Sequence, residues 1–476
     1  MTELLRTRAA TCVIAALLLS YALLTWQAFS SSGPQTVFPP ASDTIAYVNM
    51  ASLPVLSRGF LAGERCFVYP LFLKMAGGDL ARAGSAQTLL AIACWGFLAL
   101  SFLRLLATPF GRVLGVGLVL LCALREEVLF WNGVSLSESL SCSLFALWAG
   151  SWVMFARGRH WFWKLLPLLS SFLFAFVRDS NAFLVLGAAI VVAAACAFRV
   201  VPARYSLIAL ALLVFFSGSQ ASRSSSFRSK YSLQNLMGGR ILTEQWRVDE
   251  LRSFGMPLTM SADDISHFAN RCGDEFGTIG NALEMMGRPG AAEFGRWIDE
   301  RHYGVYVRFL LTNPDYLLLQ PFREEGALKF LFPLASWVLE KPCNNDPVRH
   351  ALPPGFRTPV PAPINRVLGG DPPVWVLSLW GITVALSIAA FLADRPRRGR
   401  WLLPGALLAA ALPHLLVVWH GDAMDVPRHA LLVGIQVHLS LAMLAALAID
   451  TFGLLQAGGS PGVSSGASPG AVARDG

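Results

Sequence analysis

The sequence predicts an all-α polytopic membrane protein with about ten transmembrane helices, juxtamembrane helices in the first outer loop and a mainly helical outer segment. Hydrophobic residues make up 54% of the 476 residues and charged residues only 14%, whereas a soluble domain has about a quarter charged residues. Several apolar runs reach the roughly 18 residues that cross the hydrocarbon core as a helix. These runs are predicted to be helical, because lipid offers their backbone groups no hydrogen-bond partner.

The first half of the chain is predicted to contain seven spans. Arg6 and Arg8 precede an apolar run at 9–29. This run is longer than the apolar region of a signal peptide and favours an uncleaved first span over a cleaved leader. Residues 30–84 mix proline, glycine and charges and are predicted to form the first loop. The next six spans are expected near 85–107, 112–129, 136–156, 164–177, 181–198 and 205–219.

The second half begins with a polar segment, residues 220–371, and then returns to the membrane. Spans eight to ten are expected near 373–393, 401–419 and 429–449. The tail from about 456 is rich in Gly, Ser, Pro and Ala and is predicted to be disordered. The chain is therefore expected to divide into residues 1–219, 220–371, 372–450 and a cytoplasmic tail at 451–476.

Arginine placement predicts the orientation of the spans. The turn 394–400 carries four arginines, and short loops of this kind stay in the cytoplasm. Ten spans then place both termini and the short basic loops inside. The net charge of +8 is therefore interpreted as a topology signal, and no nucleic-acid partner is expected. The Ala-, Gly- and Arg-rich composition, which lacks an Asn-x-Ser/Thr sequon, favours a bacterial cytoplasmic membrane with membrane lipids as neighbours.

Helical signals run through the polar segment. Apolar residues recur at helical spacing over 291–312. Asn313, Pro314 and Asp315 have the order of an N-cap, a first-turn proline and an acidic first turn. The helix that they open either lies along the membrane surface or is buried in a small outer domain.

The eight cysteines form no C-x-x-C motif, which argues against a zinc or redox site. Most of them fall in apolar spans and are expected to pack as small hydrophobic residues. Cys272 and Cys343 fall in the polar segment, where an oxidising exterior permits a disulfide. A bridged pair and two free thiols are both compatible with the sequence.

Ionisable residues from separate stretches are predicted to meet at one membrane face. They lie at the ends of spans rather than in their middles, which argues against a proton-coupled pump. The two halves also lack the internal repeat found in many transporters. Asp43 is either a helix N-cap or a general base for an acceptor hydroxyl. The exterior-facing set is Asp43, Arg58, Arg65, Lys74, Arg125, Glu126, Glu127, Glu138, Arg178, Asp179, His420, Asp422, Asp425, Arg428 and His429.

Five short motifs occur in order along the chain. They are Asp43-x-x-x-Tyr47, Arg65-x-x-x-Tyr69-Pro-Leu-Phe-Leu, Leu136-Ser-Glu-Ser-Leu140, Phe176-Val177-Arg178 and the turn from Gly421 to His429. This series resembles the C-type integral-membrane glycosyltransferases, above all bacterial relatives of the protein O-mannosyltransferases and of the lipid A aminoarabinose transferase. The resemblance covers spans one to six and the last two, well over half of the chain.

The resemblance implies transfer of a sugar from a polyprenyl-phosphate carrier to an acceptor at the outer face. The family's usual base, an aspartate of the first loop, matches Asp43. Many members have a second acid beside it, where this chain has Thr44. The pair Glu126-Glu127 is either the source of the second carboxylate, with Glu127 as the catalytic member, or part of a solvated rim. The cations suited to hold the donor phosphate are Arg58, Arg65, Lys74, Arg178 and Arg428.

Other residues of this face are expected to bind the acceptor or to support the site. They are Tyr47, Glu126, Glu138, His420, Asp422, Asp425 and His429. A divalent metal held by the 420–425 turn and a first-loop acid is an open alternative, since carboxylates suit a hard cation. The acceptor is a cell-wall glycan, a glycolipid or a protein. The alternative functions are a lipid or saccharide transporter such as a flippase, and an outer-face ligase that uses lipid-diphosphate donors.

Overall fold

The fold was obtained as a computed structural model of the chain. The structure describes residues 2–32, 42–158, 160–224, 228–270, 282–287, 292–300, 302–324, 338–339, 348–349, 374–423 and 426–458. Cys272, Cys343, Asp425 and the tail from residue 459 lie outside these ranges. The disulfide, the role of Asp425 and the disordered tail therefore stay predictions.

Helices follow one another from the start of the chain to the polar segment. They are α1 Thr2–Ser32, α2 Ser42–Ser52, α3 Arg58–Leu61, α4 Val68–Met75, α5 Leu80–Phe102, α6 Pro109–Ala123, α7 Glu126–Asn132, α8 Ser137–Arg157, α9 Phe162–Ala175, α10 Asn181–Ala197 and α11 Ser206–Ser224. Short 3₁₀ turns at Leu103–Leu105 and Ala203–Tyr205 lie before α6 and α11. The described part of the first loop therefore contains three short helices, α2 to α4.

The polar segment and the last part of the chain are mainly helical where they are described. Their helices are α12 Arg228–Leu236, α13 Gln245–Ser253, α14 Ala262–Asn270, α15 at 282–287, α16 Ala292–Glu300, α17 His302–Thr312, α18 Pro314–Leu318, α19 Gln320–Glu324, α20 Val374–Ala393, α21 Leu402–Gly421 and α22 Val426–Gly458. A π-helical turn at Met237–Ile241 follows α12, and a 3₁₀ turn at Arg395–Trp401 precedes α21. Val338–Leu339 pairs antiparallel with Val348–Arg349.

Among the described residues, six helices are long and apolar enough to cross a membrane. They are Thr7–Ser31, Leu80–Leu105, Ser137–Arg157, Ala203–Ser224, Arg395–Gly421 and Arg428–Gln456. Shorter apolar helices, at Pro109–Ala123, Phe162–Ala175, Asn181–Ala197 and Leu377–Ala393, lie where the sequence predicts the other spans. The chain therefore has the architecture of a helical membrane protein, as predicted, and the full count of ten spans stays a prediction.

The apolar helices pack into one bundle. α5 lies against α8, and α22 lies against α6, α20 and α21. A side-chain carbon on Gly150 of α8 would stand 2.9 Å from the ring of Phe97 on α5. Glycine therefore allows the close approach of helices that stabilises membrane bundles. The core of the bundle is rich in fully buried aromatic residues, among them Trp95, Phe102, Phe145 and Phe174.

A buried arginine anchors the basic turn 394–400 to neighbouring helices. Arg400 is only 1% exposed, and its guanidinium donates to Asp394 at 2.6 Å and to Asp450 at 2.5 Å. Asp450 also accepts a 2.7 Å hydrogen bond from the backbone N–H of Thr108, just before α6. The turn that sequence analysis interpreted only as a topology signal therefore also joins α6, α21 and α22.

Asp450→Asn is expected to destabilise the bundle by about 3–5 kcal/mol, because it removes one of the two charges that compensate a buried guanidinium. Chemical denaturation of the purified protein in detergent measures the change. Arg397→Ala alters an exposed arginine of the same turn and is the matched control. Equal destabilisation by the two substitutions would argue against an anchoring role for Arg400.

The polar segment forms a second hydrophobic cluster on the ends of α21 and α22. Its fully buried aromatic residues include Phe268, Phe294 and Phe309. Tyr316 of α18 is buried there and packs edge-on against Trp419 of α21, with ring centroids 5.7 Å apart. The helix that begins at Pro314 therefore packs within a small domain, which favours the second of the two predicted placements.

Arg125 and Glu127 form an ion pair that is buried within the bundle. The predicted third span, 112–129, is interrupted at Leu124, where α6 has ended and α7 has not yet begun. Arg125 follows the interruption, is fully buried and donates to both carboxylate oxygens of Glu127 at 3.0 and 3.2 Å. The Arg125 guanidinium also contacts His438 of α22.

The depth of this ion pair follows from the length of α22. At 1.5 Å per residue, His438 stands about 15 Å along the helix from Arg428 and about 18 Å from Asp450. The hydrocarbon core is about 30 Å thick, so a helix that spans it places His438 near mid-depth. The expectation that ionisable side chains occupy only the ends of spans therefore does not hold for Arg125 and Glu127.

Candidate active site

Asp43 lies in the first turn of α2, at the end of the bundle where α8 and α22 begin. Two arginines share its carboxylate. Arg428 Nη2 donates to Oδ2 at 2.9 Å, and Arg65 Nη2 donates to Oδ1. Arg65 lies just before α4, whereas Arg428 lies in the first turn of α22. The structure therefore brings together three predicted site residues from distant parts of the chain.

Glu138 joins this group from the first turn of α8. Its side chain is 2% exposed, and Oε1 lies 3.1 Å from Arg428 Nε and 3.1 Å from Arg178 Nη1. Arg178 belongs to the connection between α9 and α10. Arg428 therefore bridges the two carboxylates. We refer to Asp43, Glu138, Arg65, Arg178 and Arg428 as the arginine–carboxylate cluster.

The charges of the cluster keep Asp43 ionised. Burial opposes ionisation, but Arg428 and Arg65 outweigh it and hold the pKa of Asp43 at about 2. A carboxylate paired with two cations is a poor proton acceptor. Asp43 therefore gains basicity when another anion takes over these guanidiniums.

Tyrosines of α2 and α4 pack beside the cluster. The Tyr47 hydroxyl donates to Ser137 Oγ at 3.0 Å, and burial raises the pKa of Tyr47 to about 12, so the phenol stays protonated. The Tyr69 ring meets the Tyr47 ring edge-on at 4.8 Å. The Arg65 guanidinium lies 5.8 Å from the centre of the Tyr47 ring. Tyr47 thus connects α2 to the start of α8, beside the predicted base.

A second polar group adjoins the cluster, because Cys66 and Asp179 directly follow Arg65 and Arg178 in the sequence. The Cys66 thiol donates to Asp179 Oδ1 at 3.1 Å, and burial raises its pKa, which keeps it protonated. Arg228 Nη1 lies 3.0 Å from Cys66 Sγ and 3.5 Å from Asp179 Oδ1. Sequence analysis missed Arg228, since no motif or spacing distinguishes it from the other arginines of the polar segment.

Two of the five predicted phosphate-binding cations, Lys74 and Arg58, are not part of the arginine–carboxylate cluster. Lys74 Nζ donates to the backbone carbonyls of Ala51 and Leu53, at 2.9 Å each, and so fixes the end of α2. Arg58 is the first residue of α3 and is exposed. The cations in the cluster are the other three predicted ones, Arg65, Arg178 and Arg428.

Glu127, predicted as a second catalytic carboxylate, is placed with Arg125 rather than in the cluster. Both of its oxygens accept from that guanidinium. The adjacent Glu126 is half-buried in the first turn of α7. The carboxylate that shares Arg428 with Asp43 is Glu138, which sequence analysis assigned to acceptor binding or to support of the site.

Glu127→Gln is expected to lower the free energy of unfolding by about 3–5 kcal/mol, because it leaves the buried Arg125 without its counter-ion. Turnover per folded molecule should be preserved. Denaturation curves and activity normalised to folded protein measure the two effects, and Glu126→Gln is the neighbouring control. A loss of turnover in Glu127→Gln without a loss of stability would restore Glu127 as a catalytic candidate.

The described residues at the end of α21 contribute mainly to packing. His420 contacts the Tyr306 hydroxyl at 3.2 Å through Nδ1 and the Leu317 carbonyl at 2.9 Å through Nε2. Asp422 accepts a hydrogen bond from Asn235 Nδ2 at 2.9 Å. Both predicted residues therefore connect the polar segment to α21.

The metal alternative gains no support from the part of the chain that the structure describes. Within it, no three His, Cys, Asp or Glu side chains are grouped so that they could hold a metal ion. Asp425 lies outside the described residues. His429 follows Arg428 in the first turn of α22 and is half-buried.

Comparison of the sequence with protein-family models gives no match, and neither does comparison with curated proteins. The site is therefore interpreted from its own residues and geometry.

Proposed function

We propose that the chain is a membrane glycosyltransferase that moves a sugar from a polyprenyl-phosphate donor to an acceptor outside the cytoplasmic membrane. The observation that carries the proposal is one aspartate, Asp43, shared by Arg65 and Arg428. A proton acceptor beside cations is what transfer from a phosphate-linked sugar requires. The resemblance of the five motifs to the C-type glycosyltransferases supports the same reaction.

Each group has a role in this reaction. The acceptor hydroxyl gives its proton to Asp43 while its oxygen forms a bond to the anomeric carbon of the sugar. The bond between that carbon and the phosphate oxygen breaks, and its electron pair leaves with the polyprenyl phosphate. Arg65, Arg178 and Arg428 stabilise the charge that develops on the leaving phosphate through charge-assisted hydrogen bonds.

The charge of the site suits a donor with a single phosphate. Four arginines, including Arg228, face three carboxylates, including Asp179, so these side chains carry a net charge of +1. The phosphodiester of a monophosphate-linked sugar carries one negative charge and neutralises the site. A diphosphate would leave a surplus of buried negative charge, which is costly. This balance disfavours the ligase that uses lipid-diphosphate donors.

Donor binding also activates the base in this mechanism. The donor phosphate competes with Asp43 for Arg65 and Arg428. Once the phosphate takes these guanidiniums, they no longer depress the pKa of Asp43, and its basicity rises. The donor is therefore expected to bind before the acceptor. Without the donor, Asp43 stays a weak base and does not take a proton from the acceptor hydroxyl.

The proposed topology has ten spans, with both termini inside and the cluster on the extracytoplasmic face of a bacterial cytoplasmic membrane. Its support is the position of two arginine groups. Arg400 of the basic turn contacts Asp450 near the end of α22, whereas Arg428 lies at the start of the same helix. Short basic loops favour the cytoplasm, so the cluster belongs to the opposite face.

The proposal is tested with purified protein, radiolabelled polyprenyl-phosphate sugars and an envelope extract as the source of acceptors. Label should pass to a polysaccharide, glycolipid or protein fraction. Asp43→Asn protein serves as the inactive control. Absence of transfer from every donor, by protein that is folded and binds polyprenyl phosphate, would refute the proposed reaction.

A flippase for the same class of lipid is the second candidate. The ion pair of Arg125 and Glu127 supports it, because ionisable residues at membrane depth often mark a transport pathway. Reconstitution in vesicles without acceptor separates the two functions. Movement of labelled lipid between leaflets without sugar transfer would favour the flippase.

A further inference from the structure

Within the described part of the chain, Glu138 and Tyr69 each present a buried polar atom that has no hydrogen-bond partner. Glu138 Oε1 faces Arg178 and Arg428, whereas Oε2 is buried and has no hydrogen-bond partner among the described residues. Tyr69 is 0% exposed, and its hydroxyl likewise has no partner in the described part of the chain. Buried polar groups are nearly always hydrogen-bonded, so each exception calls for an explanation.

The two groups flank the same tyrosine. The Tyr69 ring packs edge-on against Tyr47 at 4.8 Å, and the Tyr47 hydroxyl donates to Ser137, which directly precedes Glu138. Burial raises the pKa of the Tyr69 hydroxyl well above its ordinary value, and Tyr47 and Glu138 raise it further. Tyr69 and Glu138 therefore lie on either side of Tyr47, and the Tyr69 phenol stays protonated and can donate.

The Tyr69 hydroxyl and the Glu138 carboxylate together offer the one hydrogen-bond donor and the one acceptor that bind an alcohol group. A protonated phenol donates a hydrogen bond, and a carboxylate oxygen accepts one, whereas an alcohol accepts through its oxygen and donates through its hydrogen. We propose that the Tyr69 hydroxyl and Glu138 Oε2 hold one hydroxyl group of the transferred sugar, an inference that rests on the proposed function. The donor is then held at two points: the arginines bind its phosphate, and Tyr69 and Glu138 bind this hydroxyl.

Access to Glu138 depends on the same arginines. Arg178 and Arg428 both lie against Glu138 in the arrangement described above. When the donor phosphate draws these guanidiniums toward itself, Glu138 loses its contacts with them and accepts a hydrogen bond from the sugar hydroxyl. A donor without the required hydroxyl would leave two buried polar groups unpaired, and a site of this kind rejects such an analogue strongly.

The test compares carriers with and without a sugar on the purified full chain. The probes are undecaprenyl phosphate and its glucose, mannose and galactose forms, and the measured quantity is the affinity ratio between each sugar-bearing carrier and the sugar-free one. Tyr69→Phe should lower the ratio for the preferred sugar about five- to tenfold, as expected for one lost hydrogen bond. The affinity for undecaprenyl phosphate itself should not change.

Tyr21→Phe is the matched control, since it removes the hydroxyl of another buried tyrosine, one that donates to the Ala91 carbonyl at 3.2 Å. It should leave the ratio unchanged. Monodeoxy forms of the preferred donor then locate the hydroxyl. One of them should bind the wild-type protein weakly, and Tyr69→Phe should discriminate against that form less than the wild type does.

Three results would count against the inference. An unchanged ratio in folded Tyr69→Phe protein would show that the phenol does not hold the sugar. A wild-type protein that binds undecaprenyl phosphate but prefers none of the sugar-bearing forms would overturn the hydroxyl site and leave the phosphate site standing. Failure to bind undecaprenyl phosphate at all would overturn the proposed function, and the sugar site with it.

Discussion

Asp43→Asn is expected to lower sugar transfer by about a hundred- to ten-thousand-fold, the usual contribution of a positioned general base. The amide is almost the same size as the carboxylate but cannot accept the proton of the acceptor hydroxyl. Donor binding should persist, because Arg65 and Arg428 lose a competitor for the phosphate. Turnover and donor affinity are measured separately, and the expected pattern is a fall in turnover with unchanged or tighter donor binding.

The same substitution has an effect on stability. Because the pKa of Asp43 is lowered to about 2, its ionised form stabilises the fold above its ordinary pKa, and this contribution is lost as the pH falls toward 2. Asp43→Asn should therefore cost about 2 kcal/mol near neutral pH and less in acid. Asp249→Asn, at an exposed position of α13, controls for loss of a negative charge. Retained transfer by Asp43→Asn would remove Asp43 as the base.

The convergence of Asp43, Arg65, Arg178 and Arg428 could be predicted from the sequence because topology alone determines it. Once the apolar runs are placed as spans, alternate connections must lie at the same end of the bundle. The positive-inside distribution then indicates which end each connection occupies. No contact between side chains is needed for this step, so weak motifs in a consistent order were sufficient.

The identity of the contacts could not be predicted in the same way. A lysine near a helix end is as well suited to bind backbone carbonyls as to bind phosphate, and Lys74 binds carbonyls. Arg228 reaches the site from the polar segment, whose packing on the bundle leaves no periodic signal. Arg125 and Glu127 were placed at the surface because the apolar run was interpreted as one span, whereas α6 ends early, at Ala123.

The arginines of the cluster have two functions in the proposed mechanism, and Arg428 performs both. It is the residue that contacts both Asp43 and Glu138. In the resting site it suppresses the basicity of Asp43, and with donor bound it stabilises the leaving phosphate. Loss of its guanidinium should therefore weaken phosphate stabilisation and at the same time raise the pKa of Asp43.

Arg428→Ala is expected to reduce kcat/KM for the donor by about a hundredfold or more, the scale seen when one donor to a developing oxyanion is removed. The acid limb of the kcat/KM profile reports the free enzyme's base. It should move to higher pH, because one of the two cations that hold the pKa of Asp43 at about 2 is gone.

Arg428→Lys keeps the charge but not the forked geometry, so it should restore the position of the limb better than it restores the rate. Arg323→Ala, at an exposed arginine of α19, is the control. A large loss of rate with an unmoved acid limb would mean that Arg428 holds the phosphate but does not set the basicity of Asp43.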